Sequence, residues 1–153
     1  MLLAASTSPL AARGLSLLDD PAEEQRRYEP LPSLPESLNG IVRPQKDAPE
    51  VPRIDRIRDV FRAIQACWRP PRGSGYSGQE LTIRLSFKRS GEVLGLPKIT
   101  YYRAGSEPEQ REPFTRSVRE AFVRCTPLPF TDSLGGAVAG RPFVFRFVDS
   151  QPM

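Results

Sequence analysis

The chain has 153 residues, a net charge of +4, two cysteines and no histidine. A length of this order is one domain with a tail. Without histidine there are no His-dependent triads, no His general bases and few routes to zinc, and two cysteines build neither a Cys-rich zinc site nor an iron–sulfur cluster. The charge divides unevenly, with 6 Lys and Arg against 8 Asp and Glu in residues 1–53, and 16 against 10 in residues 54–153. A basic domain of this kind suits nucleic acid, an anionic membrane surface or an acidic protein patch, and is also what ordinary solvated helix faces produce.

The chain opens on Met1-Leu-Leu-Ala-Ala-Ser-Thr-Ser-Pro-Leu-Ala-Ala12 followed by Arg13-Gly14. Residues 1–18 read either as the rear half of a signal peptide that lacks its basic n-region or as a plain tail. The first reading predicts an exported protein. No apolar run reaches the roughly 18 residues of a spanning helix. Residues 19–53 read as a linker, because seven prolines, at 21, 30, 32, 35, 44, 49 and 52, interrupt any period.

The globular part is expected over residues 54–149. Ile57, Val60, Phe61, Ile64, Cys67 and Trp68 recur at the spacing of one helical face, and Pro70-Pro71 ends the helix. Gly73-Ser-Gly75-Tyr-Ser-Gly78 matches G-x-G-x-x-G, but it follows a helix and opens a strand, the reverse of a dinucleotide fingerprint. It reads as a flexible connection. Leu81, Ile83, Leu85 and Phe87 alternate with polar residues as a half-buried strand, and Arg89-Ser-Gly-Glu92 turns it into a second strand through about Tyr102. Pro97 places that second strand at an edge.

Residues 111–125 give a second helix with Phe114, Val118, Ala121, Phe122 and Cys125 on one face, stopped by Pro127 and Pro129. A loop containing Gly135, Gly136 and Gly140 follows, then a third strand in which Phe143, Phe145 and Phe147 alternate with Val144, Arg146 and Val148. The expected fold is α+β in two layers. Helices pack on one face of a small three-stranded antiparallel sheet in the order α-β-β-α-β, after a disordered proline-rich tail.

Each helix finishes on a cysteine. An even pair fits one disulfide between Cys67 and Cys125, closing a loop of 58 residues in an oxidising compartment; two buried thiols are the other reading. Ser and Thr have no histidine to activate them, and the lysines, at 46, 88 and 98, look solvent-facing. The expectation is therefore a protein that is no enzyme and needs neither metal nor cofactor. With the second strand blunted by Pro97, the free edge for a partner is the third strand: Phe143, Val144, Phe145, Arg146, Phe147 and Val148.

Three stretches carry a resemblance: Ile64-Gln-Ala-Cys-Trp-Arg-Pro-Pro71, the hairpin Leu81 to Val93, and Val118-Arg-Glu-Ala-Phe-Val-Arg-Cys-Thr-Pro127. In that order they resemble the C-terminal domains of the TolA/TonB group, over roughly residues 54–149. The resemblance implies a periplasmic module that docks extended segments of periplasmic or outer-membrane proteins, often by strand addition. It implies neither a nucleic-acid partner nor a small-molecule substrate. The alternative is a basic domain for nucleic acid or an anionic surface. It would need an arginine cluster on one face with exposed aromatics, for which Tyr101 and Tyr102 are the candidates.

Overall fold

The computed structural model describes residues 37–45, 47–71 and 75–150. The expected signal remnant at 1–18, residues 19–36 of the linker, and Gly73-Ser74 of the glycine-rich loop lie outside the described residues. In chain order the elements are strand β1 (Leu38–Val42), helix α1 (Ile57–Cys67), strands β2 (Glu80–Phe87) and β3 (Val93–Arg103), and a 3₁₀ turn (Pro108–Gln110). Helices α2 (Arg111–Cys125) and α3 (Asp132–Val138) and strand β4 (Phe143–Val148) complete it.

The three-stranded antiparallel sheet is corrected to a four-stranded mixed one, in the order β1-β4-β2-β3, accompanied by three helices. β2 is antiparallel to both β3 and β4, while β1 runs parallel to β4, from Leu38 opposite Phe143 to Val42 opposite Phe147. β1 comes out of the expected linker. Its buried residues Leu38 and Val42 are separated by Gly40, so the strand shows no apolar alternation. Gly40 is required by packing, since a Cβ there would stand 2.3 Å from the Phe61 ring.

The loop expected before β4 contains α3. Thr131 caps it, its hydroxyl accepting from the Leu134 amide at 3.2 Å. Gly135 reads as loop in sequence, yet it serves contact: a Cβ there would meet the Arg89 carbonyl oxygen at 2.5 Å, so α3 rides directly on the β2–β3 turn. At that turn Gly91 has φ +90° and packs against Leu128, whose amide donates to the Gly91 carbonyl at 3.0 Å.

The core lies between the helices and one sheet face. Leu38 and Val42, Leu81, Ile83, Leu85 and Phe87, and Phe143, Phe145 and Phe147 point into it. Val60, Ala63, Ile64, Phe114, Val118, Ala121, Phe122, Leu134 and Val138 come from the helices. Ile57, expected in the core, is 37% exposed because α1 has only just begun there.

Cys67 and Cys125 form a disulfide, with Cα atoms 6.0 Å apart, joining the C-terminal ends of α1 and α2. Trp68 follows at once and is buried; its indole donates to the Ser117 hydroxyl at 3.1 Å, which donates on to the Phe114 carbonyl at 2.6 Å. Both polar atoms are therefore satisfied in the interior.

Two outcomes check this architecture. Replacing Cys67 and Cys125 together with Ser should lower the unfolding free energy by about 4 kcal/mol in urea melts, the loop entropy of a 58-residue closure. A loss under about 1 kcal/mol would overturn that account. Gly40→Ala should cost about 1–3 kcal/mol by forcing Phe61 aside; an unchanged midpoint would show that β1 does not need its close approach to α1.

Candidate functional site

β4 does not offer the free edge expected of it. It is bonded to β1 on one side and β2 on the other. Phe143, Phe145 and Phe147 are fully buried, Val144 and Val148 are half-buried, and Arg146 alone is exposed. Phe145 packs against Phe61 at 4.8 Å and Phe122 at 5.0 Å, and Phe147 against Trp68 at 5.1 Å between ring centroids. Three alternating phenylalanines are interior material; an open edge carries charge, proline or a bulge.

β3 has those edge features, and as the Pro97 argument expects, it is the outermost strand on its side. Its register with β2 runs Ser86↔Leu94 and then Arg84↔Lys98, so two steps along β2 oppose four along β3. Gly95-Leu96-Pro97 thus spans the place opposite Leu85 alone, a bulge of two extra residues in which Gly95 has φ +73° and Leu96 is 93% exposed. A second irregularity falls between Thr82/Ile83, opposite Tyr101 and Ile99.

Between this bulge and α2 lies a groove of about 580 Å³. Ile83 and Phe122 are its buried base, Val93 and Pro97 line one wall, and Leu96 and Val123 stand at its rim. Val123 is 77% exposed, an aliphatic side chain on the solvent side of a helix otherwise ruled by arginine and glutamate. Arg119 is the cation of the groove, and no ion pair engages it among the described residues. Thr126 also lines it, but its hydroxyl already donates to the Phe122 carbonyl at 2.6 Å. The groove can grip an apolar side chain and orient a carboxylate; its lining holds no carboxylate, thiol or amine for chemistry.

Elsewhere, a hydroxyl and a carboxylate meet at Ser77 and Asp149. The hydroxyl donates to the carboxylate at 2.6 Å and the Ser77 amide donates to the same oxygen at 3.1 Å. The Gly78 amide donates to the Asp149 carbonyl at 2.8 Å and the Asp149 amide to the Gln79 carbonyl at 3.0 Å. This part-buried cluster ties the end of β4 to the start of β2, which is a structural task. Beside it the Tyr102 hydroxyl donates to Gln79 at 2.7 Å, and the Arg111 guanidinium sits 4.6 Å from the Tyr102 ring centroid. Tyr102 thus faces the helices, and of the two candidate exposed aromatics only Tyr101, opposite Thr82, faces the other way. No group of three or more Cys, Asp or Glu side chains is placed to hold a metal among the described residues.

A family model matches residues 50–151, and its description is Uncharacterised conserved protein UCP034077. The chain belongs to that family. No curated protein and no solved structure matches it. The resemblance to the TolA/TonB group is thereby overturned. The stretches that carried it encode two proline-stopped helix ends and a hairpin, which are features of local structure that unrelated α+β domains share.

The groove rim should be free of structural duty. Val123→Asp and Leu96→Asp should each leave the unfolding free energy from urea melts within about 0.5 kcal/mol of the parent, whereas Phe122→Ala at the groove's base should cost about 3–5 kcal/mol. A large loss at Val123 or Leu96 would mean that the rim is part of the core.

Proposed function

We propose that the domain is a non-enzymatic protein-interaction module that receives an extended segment of a partner protein in the groove between β3 and α2. The observation that carries this reading is that Leu96 and Val123, two exposed aliphatic side chains, line one groove whose base includes the buried Ile83 and Phe122. An outermost strand beside such a groove adds backbone groups that a partner can bond. The bulge at Gly95-Pro97 interrupts those groups, so side chains in the groove supply most of the grip and strand addition is confined to short stretches.

The Cys67–Cys125 bond supports an oxidising compartment, since disulfides persist in exported proteins and are rare in the cytosol. The partners we propose are accordingly exported proteins, periplasmic or outer-membrane ones in a cell with two membranes.

Photocrosslinking tests this in the native cell. p-Benzoylphenylalanine in place of Val123 should give a discrete adduct whose crosslinked peptide maps to an extended segment of an exported protein. The adduct should disappear when Leu96→Asp is added, and the same probe at Arg58, exposed on α1, should give none. An adduct indifferent to Leu96→Asp, an equal one from position 58, or none from position 123 would overturn the reading.

A further inference from the structure

The sheet has a second face, opposite the core, on which no helix packs among the described residues. Its side chains follow from the register. Asn39 and Ile41 come from β1, Val144, Arg146 and Val148 from β4, Glu80, Thr82, Arg84 and Ser86 from β2, and Leu94, Lys98, Tyr101 and Arg103 from β3.

Four of these residues are cations, against the single acid Glu80. Glu80 is already taken: its carboxylate pairs with Arg146, so Arg103, which lies opposite it in register, has no ion pair among the described residues. Arg84 and Lys98 are more telling. They are directly opposed across β2 and β3, both are exposed, and neither meets an acid among the described residues. Like charges directly opposite in a sheet destabilise it. A sheet that keeps such a pair on an open face has built a place for negative charge from outside.

We propose that this face binds the anionic phospholipid headgroups of a membrane surface. The apolar residues choose this partner over a nucleic acid. Single-stranded nucleic acid is held by successive stacking aromatics along a basic groove, and among the described residues this face offers only Tyr101. What accompanies the cations instead is Ile41, 52% exposed, Leu94, 46% exposed, and Tyr101, 49% exposed. Cations with aliphatic and aromatic neighbours suit the headgroup region, where apolar side chains dip and long cationic ones reach the phosphates. A shallow hollow of about 560 Å³ beside Arg146, lined also by Asn39, Ile41, Thr82 and Val144, has the room for a headgroup. The groove lies on the other side of β3, at the edge of the helix layer, so a membrane-bound domain keeps it open to a partner.

Vesicle co-sedimentation with the full, oxidised chain tests the proposal. Vesicles of phosphatidylcholine containing about one third phosphatidylglycerol should carry the protein down at low salt. Pure phosphatidylcholine should not, and salt raised to about 0.5 M should release it. Arg84→Gln with Lys98→Gln should weaken partitioning roughly 30-fold, about fivefold per lost cation, while the urea midpoint stays at or above that of the parent because a repulsion has been removed. That combination separates a binding pair from a structural one. Equal sedimentation with both vesicle types, no sedimentation with either, unchanged partitioning of the double variant, or capture of an oligodeoxythymidylate with vesicles ignored would each overturn the proposal.

Discussion

The alternation of phenylalanine along β4 is the constraint on which the rest depends. Phe143, Phe145 and Phe147 are fully buried, and their rings touch Phe61, Trp68, Phe87 and Phe122, so one strand reaches both long helices and its neighbour β2. At about 1.5–3 kcal/mol for each buried apolar side chain, these three rings are a large share of the stability a small domain has. β4 lies inside the sheet, between β1 and β2. The outer places fall to β1, which is short, and β3, which is bulged and carries Pro97.

The helix layer is fixed from the other end of the molecule. The disulfide joins the last residues of α1 and α2, Trp68 seals the gap beneath it, and the Arg124 guanidinium donates to the Cys67 carbonyl at 3.3 Å. With that end clamped and Phe122 anchored on Phe145 and Phe147, α2 cannot roll about its axis. Val123, one residue beyond the anchor, is thus committed to solvent, and the wall of the groove is rigid because its neighbour in sequence is buried.

Sequence reading worked where a residue pattern ran long enough to show its period. α2 and β4 take the expected bounds, Arg111–Cys125 and Phe143–Val148, because each repeats its apolar face through its whole length. It failed where glycine served a contact. Gly40 lets β1 pass Phe61 and Gly135 lets α3 sit on Arg89, and in sequence both look like the punctuation of loops. Missing β1 misplaced the edge, since without a parallel neighbour about a hundred residues earlier in the chain β4 has a side to spare. The groove left fainter marks that were legible, namely Gly-Leu-Pro in the middle of a strand and a valine off the apolar stripe of α2. The basic face left none, because Arg84 and Lys98 become neighbours only through a register that the bulge sets.

That bulge links the two surfaces physically. Without the bulge, β3 would continue step for step from Leu94 opposite Ser86, and Leu96 rather than Lys98 would stand opposite Arg84. The two extra residues leave Leu96 out of the ladder, on the groove that Val123 also lines, and advance the strand so that Lys98 stands opposite Arg84. The same device spoils an open edge that could otherwise pair with another copy of the chain. One irregularity therefore discourages self-association, forms a wall of the groove and assembles the cation pair. Substitutions at Gly95 would be felt on both sides of the sheet, because a side chain at φ +73° is strained and the cheapest relief is to change the bulge itself.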